Sequence, residues 1–118
     1  MQNTTEDIRR LETEFKGCCD LFAAIGDEVR QQLIFILLEG PCTGTRVVDA
    51  AKKMNLSRPA VSQHMQILKN SGLVKARKEG TCIYYYLEPE PERVLQLCSL
   101  SEDIRRLTLN APDRAGED

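Results

Sequence analysis

The chain has 118 residues, a formal net charge of −2 and five cysteines. This length predicts a single domain over residues 1–109, followed by a flexible tail at 110–118. There is no apolar run of membrane-spanning length, and the polar, acidic N-terminus does not resemble a secretory signal, so we expect no membrane partner. Five cysteines without such a signal favour a cytoplasmic protein with free thiols over a disulfide-linked secreted protein.

Two apolar patterns occupy the first forty residues. Apolar side chains at spacings of three and four predict a first helix over about residues 4–25, with a coiled-coil-like seam along one side. The seam consists of Ile8, Leu11, Phe15, Cys18, Phe22 and Ile25. Asp27 is a typical N-cap for a second helix, which ends at Gly40-Pro41. Because this second helix is apolar on most sides, we expect it to be buried.

Residues 56–74 predict an amphipathic helix with a capping signal at each end. Ser57 is a favourable N-cap, and Gly72 suits the left-handed residue that ends a helix. Apolar residues at positions i, i+4 and i+7 direct one side of the helix toward a core; they are Val61, Met65 and Leu68. A short helix precedes it at 45–54, and Asn55-Leu56 form the turn between them. The pair has the length of a helix–turn–helix.

The opposite side of the 56–74 helix is polar. It carries Arg58, Ser62, Gln63, Gln66 and Lys69. These side chains suit contacts with base edges and phosphates in a major groove, although a polar helix face is often only solvated. The segment that follows favours DNA binding, since two strands joined by a turn at Glu79-Gly80 form a basic-tipped wing. The fold class is therefore mainly α with a small β-hairpin, a winged helix–turn–helix of about five helices.

Charge and the last helix complete the pattern. Residues 46–79 hold eight basic and two acidic residues, a net charge of +6, which leaves −8 for the remaining chain. A locally basic segment inside an acidic protein is compatible with phosphate binding.

Pro91 begins a final helix over about 91–109, with apolar residues at 94, 97, 100, 104 and 107. The two terminal helices either cover one core or, as we expect, also form a homodimer interface.

The chain resembles the ArsR/SmtB family of bacterial metal- and stress-responsive repressors over roughly residues 18–108. The resemblance rests on DLFAAIGDEVRQQLIFILLEGP, LSRPAVSQHMQILKNSGLVKARKEG and the YYYLE strand. It is most specific at Ala24–Arg30, at the Ser57-x4-Ser62-x-His64 pattern and at the Gly80 wing. It implies a homodimer that joins through its first and last helices. Such a dimer binds double-stranded operator DNA at an imperfect inverted repeat and leaves it when an effector binds.

The resemblance also implies which residues contact DNA. They are Ser57, Arg58, Ser62, Gln63, His64, Arg77 and Lys78. Arg58 suits a bidentate pair with guanine and Gln63 one with adenine. His64, the one histidine of the chain, fits a structural or phosphate hydrogen bond. Tyr84, Tyr85 and Tyr86 fit packing in the sheet better than stacking on bases. We expect DNA binding to require no cofactor.

The effector is sought among the cysteines, because thiolates bind soft ions and also react with oxidants. The family's Cys-x-Cys-Asp metalloid box is replaced here by Arg46-Val47-Val48-Asp49, and the final helix has no histidine for a zinc-type site. Some arsenic-sensing members instead place a vicinal Cys pair before the core and a third Cys fifteen residues before the reading helix. Cys18, Cys19 and Cys42 resemble that set, which implies arsenic(III) or another soft metal ion as effector.

Other interpretations remain open at this stage. The thiols, Cys98 or Cys42 among them, suit a redox or reactive-sulfur sensor, or Cys18 is only a small buried apolar residue. Cys82 and Cys98 fit buried strand and helix positions. A winged helix that binds protein instead of DNA is a further alternative. An enzyme is not expected, because a catalytic thiolate needs a nearby base and His64 lies on the proposed DNA face.

Overall fold

The computed structural model describes residues 3–110, so the predicted tail lies outside the described residues except for Asn110. These residues form six helices and one two-stranded antiparallel sheet. The elements are α1 (Thr5–Gly17), α2 (Cys19–Ile25), α3 (Glu28–Glu39), α4 (Val47–Met54), α5 (Arg58–Asn70), β1 (Val74–Glu79), β2 (Cys82–Leu87) and α6 (Pro91–Leu109). The predicted winged helix–turn–helix is confirmed, with six helices where five were expected. None of the described helices is long and apolar enough to cross a membrane.

The extra helix arises because the predicted helix over 4–25 is interrupted at Cys18. Thr4 caps α1 through a reciprocal pair of hydrogen bonds with Asp7, and the helix ends at Gly17. Cys18 leaves helical geometry with φ −103° and ψ 4°, and its carbonyl accepts the first hydrogen bond of α2 from Phe22 at 2.9 Å. Glycine weakens the helix at this point. The bend buries Cys18, and the apolar spacing continues across it, so periodicity alone did not reveal the break.

Helix α3 begins as predicted but is less buried than predicted. The carboxylate of Asp27 accepts the backbone N–H of Arg30 at 3.0 Å, which confirms the N-cap. Leu33 and Leu37 are buried, whereas Phe35 is 62% exposed and Leu38 is 57% exposed. The expectation of burial on most sides is therefore wrong for the single chain. Helix α3 packs on one side against α5 and β2, and its other side faces outward.

The helix–turn–helix forms as the sequence predicted. Asn55 adopts a left-handed conformation with φ 55°, which turns the chain sharply after α4. The Ser57 hydroxyl then accepts the backbone N–H of Ala60 at 3.3 Å and caps α5. The apolar side of α5, formed by Val61, Met65 and Leu68, is fully buried in the main core. This burial fixes which side of α5 faces solvent.

The wing pairs in a regular antiparallel register from Val74 opposite Leu87 to Glu79 opposite Cys82. The two-residue turn is therefore Gly80-Thr81, one position later than predicted. Gly80 has φ +63° at the first central position, which is where a type II′ hairpin turn requires a positive φ. The packing of the tyrosines in the sheet is confirmed for Tyr85, which is buried and bridges to the backbone of Thr45.

Helices α1 and α6 run antiparallel beside each other. The Asn3 amide donates to the Leu107 carbonyl at one end of the pair, and Arg93 donates to the Gly17 carbonyl at the other. Cys18, Leu21 and Leu100 form a second small core beneath them. Part of each predicted apolar seam is thus buried within the chain. Exposed seam residues remain on α1 and α6, namely Ile8, Phe15, Val94 and Ile104. Leu95 and Leu109, which lie outside the predicted seam of α6, are exposed as well.

Two carboxyl groups meet between these helices. Hydrogen bonding with Asp103, together with burial and the negative charge of Asp103, raises the pKa of Glu14 above its ordinary value. The Ser99 hydroxyl donates to Glu14 at 3.2 Å, and Asp103 forms an ion pair with Arg106 at 2.7 Å. A raised folded-state pKa means that Glu14 favours folding at low pH. That contribution is lost as pH rises through the folded-state value.

We therefore expect Glu14→Gln to stabilise the protein at neutral pH, because an uncharged amide removes the repulsion from Asp103. The melting temperature at pH 7 should rise by roughly 2 °C. The gain should vanish near about pH 3, where the carboxyl of the wild type is already protonated. Glu12→Gln on the exposed side of α1 is the matched control and should give no gain. A gain that does not change with pH would contradict the carboxyl interaction.

A second prediction concerns Gly72, which follows α5 with φ +85°. A Cβ at this position would lie 3.0 Å from Cγ of Arg93 in a left-handed conformation that disfavours side chains. Gly72→Ala should lower the free energy of unfolding by about 1–2 kcal/mol. Gly17→Ala, where a Cβ meets nothing within 4 Å, should instead raise it by about 0.5 kcal/mol. Urea unfolding measures both, and equal effects would contradict the assignment of strain to Gly72.

Candidate nucleic-acid interface

The exposed side of α5 is a continuous polar surface. All five side chains that the sequence placed there are exposed: Arg58, Ser62, Gln63, Gln66 and Lys69. Within residues 3–110, Arg58 forms no ion pair or side-chain hydrogen bond, so its guanidinium is available to a ligand. The Gln66 amide donates to Asn70 at 2.9 Å along the helix. The sequence pattern and the structure therefore agree on which residues of α5 face outward.

A groove of about 260 Å³ separates α5 from the wing. Arg58 and Ser62 line it from α5, and Cys82 and Ile83 line it from β2. Arg46, just before α4, supplies a second guanidinium to the same groove. Sequence reasoning counted the charge of Arg46 but did not place it at the site. The sequence did contain a signal for this placement. The residue before α4 is basic, and the first helix of a helix–turn–helix crosses the DNA backbone.

The two wing cations have different surroundings. Arg77 lies 4.7 Å from the centre of the Tyr84 ring, pairs with Glu79 and donates to the Thr43 carbonyl at 2.9 Å. Its side chain thus joins the wing to the loop before α4. Lys78, beside it, is exposed and forms no ion pair within the described chain. Of the two, Lys78 is the side chain with an uncommitted charge.

His64 faces the junction of α2 and α3 with one ring nitrogen. Its Nδ1 lies 3.3 Å from Nη1 of Arg30. A guanidinium can only donate, so a hydrogen bond across this contact requires Nδ1 as the acceptor. This contact agrees with the structural hydrogen bond predicted for His64. A phosphate contact through Nε2 stays a prediction.

The three cysteines of the expected metal set lie in different environments. Cys18 is 1% exposed, whereas Cys19 and Cys42 are exposed. The Cys19 thiol donates to the Phe15 carbonyl at 3.4 Å. Between residues 3 and 110 of one chain, no three His, Cys, Asp or Glu side chains are grouped closely enough to hold a metal ion. One chain therefore does not bring Cys18, Cys19 and Cys42 together.

The other two cysteines differ from the burial expected of them. Cys98 is exposed on α6, so its predicted burial is wrong. Its helix packs on α1 through a neighbouring side that includes Leu100 and Leu107, which leaves Cys98 outside. Cys82 is half-buried at the start of β2, in the groove beside α5. Neither thiol lies in the interior of the chain.

A second cavity lies beside the buried thiol of Cys18. About 310 Å³ of space lies between α1 and α6, and Cys18, Glu14, Gln96 and Ser99 are among the residues that line it.

Known proteins match both the sequence and the fold. The family described as bacterial regulatory protein, arsR family, matches residues 27–76. An uncharacterised HTH-type transcriptional regulator of Methanocaldococcus jannaschii is 34% identical over 92 residues, which cover 77% of this chain and 98% of that protein. The arsenical resistance operon repressor of Escherichia coli is 33% identical over 69 residues, covering 58% of this chain and 57% of the repressor.

A solved structure agrees with the architecture. The homodimeric winged helix–turn–helix domain of a possible ArsR-family regulator from Mycobacterium bovis superposes with a TM-score of 0.57. The match covers 96% of this chain and 99% of that domain at 23% identity, so it supports the fold alone. The helix–turn–helix of the chain lies within the family match, and the M. jannaschii regulator matches over nearly its whole length. The chain therefore belongs to the ArsR family of DNA-binding transcriptional regulators, which are not enzymes.

Proposed function

We propose that this chain is a homodimeric repressor that binds an imperfect inverted repeat and releases it when a thiophilic effector binds. Arsenic(III) is the first candidate for that effector. The observation that carries the DNA-binding part is the exposed polar side of α5 beside the groove to the wing. Arg58 on α5 and Lys78 on the wing keep uncommitted charges. A DNA duplex carries one phosphate every ~1.7 Å along its axis, and these two cations can neutralise such phosphates.

The base contacts follow from donor and acceptor geometry. Arg58 can donate two parallel hydrogen bonds to guanine O6 and N7, and Gln63 can pair with adenine N6 and N7. Ser62 lies between them in sequence and on the same side of α5, where it can contact a base or the backbone. The Ser57 hydroxyl accepts from Ala60. Its own hydrogen remains free for a phosphate oxygen.

The backbone contacts surround this reading side. Arg46 lines the groove and Lys78 is exposed on the wing, so both suit phosphate contacts. Arg77 is committed to Tyr84 and Glu79, so in this proposal it shapes the wing and approaches DNA only if the Glu79 pair opens. The exposed Arg77–Glu79 pair is worth little in water, on the order of 0–1 kcal/mol, and phosphate can displace the carboxylate.

The dimer would form through the apolar residues that α1 and α6 leave exposed. Phe15 and Ile8 extend along α1, and Val94, Leu95 and Ile104 extend along α6. The Mycobacterium bovis domain of the same fold is described as homodimeric. Two-fold symmetry would place the two α5 helices about one DNA turn apart, ~34 Å. Any change in how α1 and α6 pack would alter that spacing.

The effector proposal rests on three of the five cysteines. Cys18 and Cys19 lie at the junction of α1 and α2, and Cys42 follows α3. Since a single chain does not group them, a three-thiolate site would require Cys42 from the second subunit. The similarity to a protein named as an arsenical resistance repressor supports arsenic(III) as the first effector to test. Trivalent arsenic is a soft centre that thiolates suit.

A second candidate is a repressor of the same fold that responds to oxidants or reactive sulfur. Cys42 and Cys98 are exposed thiols on a protein without disulfides in its described part. Exposure makes both accessible to persulfides and peroxides. This alternative differs from the first in requiring no metalloid and in being reversed by a reductant. The DNA-binding part of the proposal is common to both.

The DNA-reading role predicts that Arg58→Ala and Gln63→Ala weaken binding to a selected operator duplex. Each lost bidentate contact should reduce affinity by roughly 5- to 150-fold. Arg58→Lys keeps the charge but loses the guanidinium that donates two parallel hydrogen bonds, so it should still lose sequence preference. Arg9→Ala, an exposed charge on α1, and Gln32→Ala, an exposed amide on α3, are matched controls and should leave affinity unchanged. Fluorescence anisotropy with specific and scrambled duplexes measures the effect. Unchanged binding by both α5 variants would favour a winged helix that binds protein.

The three-thiolate proposal predicts a specific result with mixed dimers. Chains carrying Cys18→Ser and Cys19→Ser are combined with chains carrying Cys42→Ser. Only a site shared between subunits is reconstituted, once per mixed dimer. Arsenite should then release DNA from the mixed dimers but from neither parent. Release from none of them, with full release from the wild type, would contradict the shared site.

The same assay separates the two effector candidates. Arsenite, cadmium and zinc are added to the reduced protein–DNA complex in one arm, and an oxidant or a persulfide in the other. Release only in the second arm, reversed by dithiothreitol, would favour the redox alternative. Release in neither arm would contradict a thiol-dependent repressor.

A further inference from the structure

Arg30 lies where three helices meet. Its side chain is only 12% exposed and extends from the first turn of α3. Nε donates to the Ala24 carbonyl at 3.0 Å, and Nη2 donates to the Ala23 carbonyl. The remaining nitrogen, Nη1, lies 3.3 Å from Nδ1 of His64 on α5. One guanidinium therefore bonds the end of α2 and the middle of the reading helix.

The contacts with α2 satisfy a need of that helix. Helix α2 has seven residues, and the carbonyls of its last turn have no partners within the helix. Arg30 supplies two donors to these carbonyls, and its positive charge suits the negative end of the helix dipole. Gln31 adds a third donor, to the Ile25 carbonyl at 2.7 Å. The position of α2 is thus set by α3.

The guanidinium is itself held in place by Asp27. The Asp27 carboxylate lies 3.9 Å from Nη1 of Arg30 and also caps α3. The backbone hydrogen bond from Arg30, with the Arg30 charge adding to it, lowers the pKa of Asp27. The carboxylate therefore stays ionised at neutral pH. The Arg30 guanidinium, held by this carboxylate, is charged, and a charged donor forms stronger hydrogen bonds than a neutral one.

His64 receives this contact at a sensitive position on α5. It lies between Gln63 on the exposed side and Met65 in the core. A displacement of the ring would rotate or shift the residues on either side of it. The one bond from Arg30 thus links the position of α2 with the orientation of the proposed base-reading side chain.

We propose that Arg30 and His64 are positioning residues that couple helix α2 to the DNA-reading helix. Helix α2 begins at Cys19, directly after the buried Cys18, so a change at either thiol moves the carbonyls that Arg30 binds. The guanidinium transmits that change to His64 and to α5. The proposal rests on the proposed function in that α5 must read DNA, but it does not depend on which effector acts.

The test uses the buried thiol of Cys18 as a reporter of α2. Coupling is reciprocal, so bound DNA must stabilise α2 as much as a change in α2 weakens DNA binding. Alkylation of Cys18 by N-ethylmaleimide requires local opening, since the thiol is 1% exposed. The rate is measured by mass spectrometry with and without a saturating duplex selected from a randomised pool. The exposed Cys42 thiol serves as an internal reference.

In the wild type we expect the duplex to slow alkylation of Cys18 by about fivefold or more. Arg30→Lys keeps the charge but loses the guanidinium that bonds several partners at once. His64→Leu keeps a similar bulk but loses the Nδ1 acceptor. Both variants should reduce this protection to less than twofold at saturating DNA. His64→Asn places an amide oxygen near the position of Nδ1 and should retain the protection. Far-ultraviolet circular dichroism confirms that each variant is folded at the temperature used.

The outcomes separate this proposal from the proposed function. Equal protection of Cys18 in the wild type, Arg30→Lys and His64→Leu would overturn the coupling and leave DNA binding intact. Loss of protection in His64→Asn would also overturn it, because a phosphate contact through Nε2 would then explain the role of His64. Failure of the wild type to select any duplex would overturn the proposed function and this proposal with it.

Discussion

The burial of one side of α5 is the constraint on which the rest of the molecule depends. Val61, Met65 and Leu68 are completely removed from solvent. Burying three side chains of this size contributes about 1.5–3 kcal/mol each relative to exposure. No rotation of α5 can preserve that burial and also hide Arg58 or Gln63. The core therefore determines which polar groups the helix presents, and the helix presents them on a rigid element.

The elements around α5 keep that presentation fixed. Helix α4 precedes it through the left-handed Asn55, and Gly72 turns the chain directly into the wing. The wing returns to the body of the protein through the buried Tyr85 and its bridge to Thr45. On the opposite side, Arg30 connects α5 to α2. The exposed polar side of α5 and the cysteine-bearing junction of α1 and α2 are therefore parts of one packed unit.

The sequence predicted those parts of the fold that depend on local chemistry. Ser57 and Asp27 cap helices because their side-chain oxygens accept nearby N–H groups, and Gly72 ends one because it tolerates a positive φ. Such signals lie within a few residues of the structure that they determine. The exposed residues of α5 followed from the apolar spacing alone. The turn of the wing was predicted to within one residue.

Features set by tertiary packing could not be predicted in the same way. The helix break at Cys18 leaves the apolar spacing intact. Only the packing of Cys18 against Leu100 of α6 reveals the break. The outward side of α3 is apolar in sequence, and its exposure depends on which helices lie beside it. Arg46 belongs to the groove only because the loop before α4 approaches the wing. The Arg77 stack and the Arg30–His64 contact join residues 7 and 34 positions apart in the chain, respectively.

The central claim is that two copies of α5 read major grooves about one helical turn apart. Methylation interference on a selected operator tests it most directly, since dimethyl sulfate modifies guanine N7 in the major groove and adenine N3 in the minor groove. We predict interference from guanine N7 in two clusters separated by about 10 base pairs. Interference from adenine N3 alone, or from a single cluster, would contradict the account.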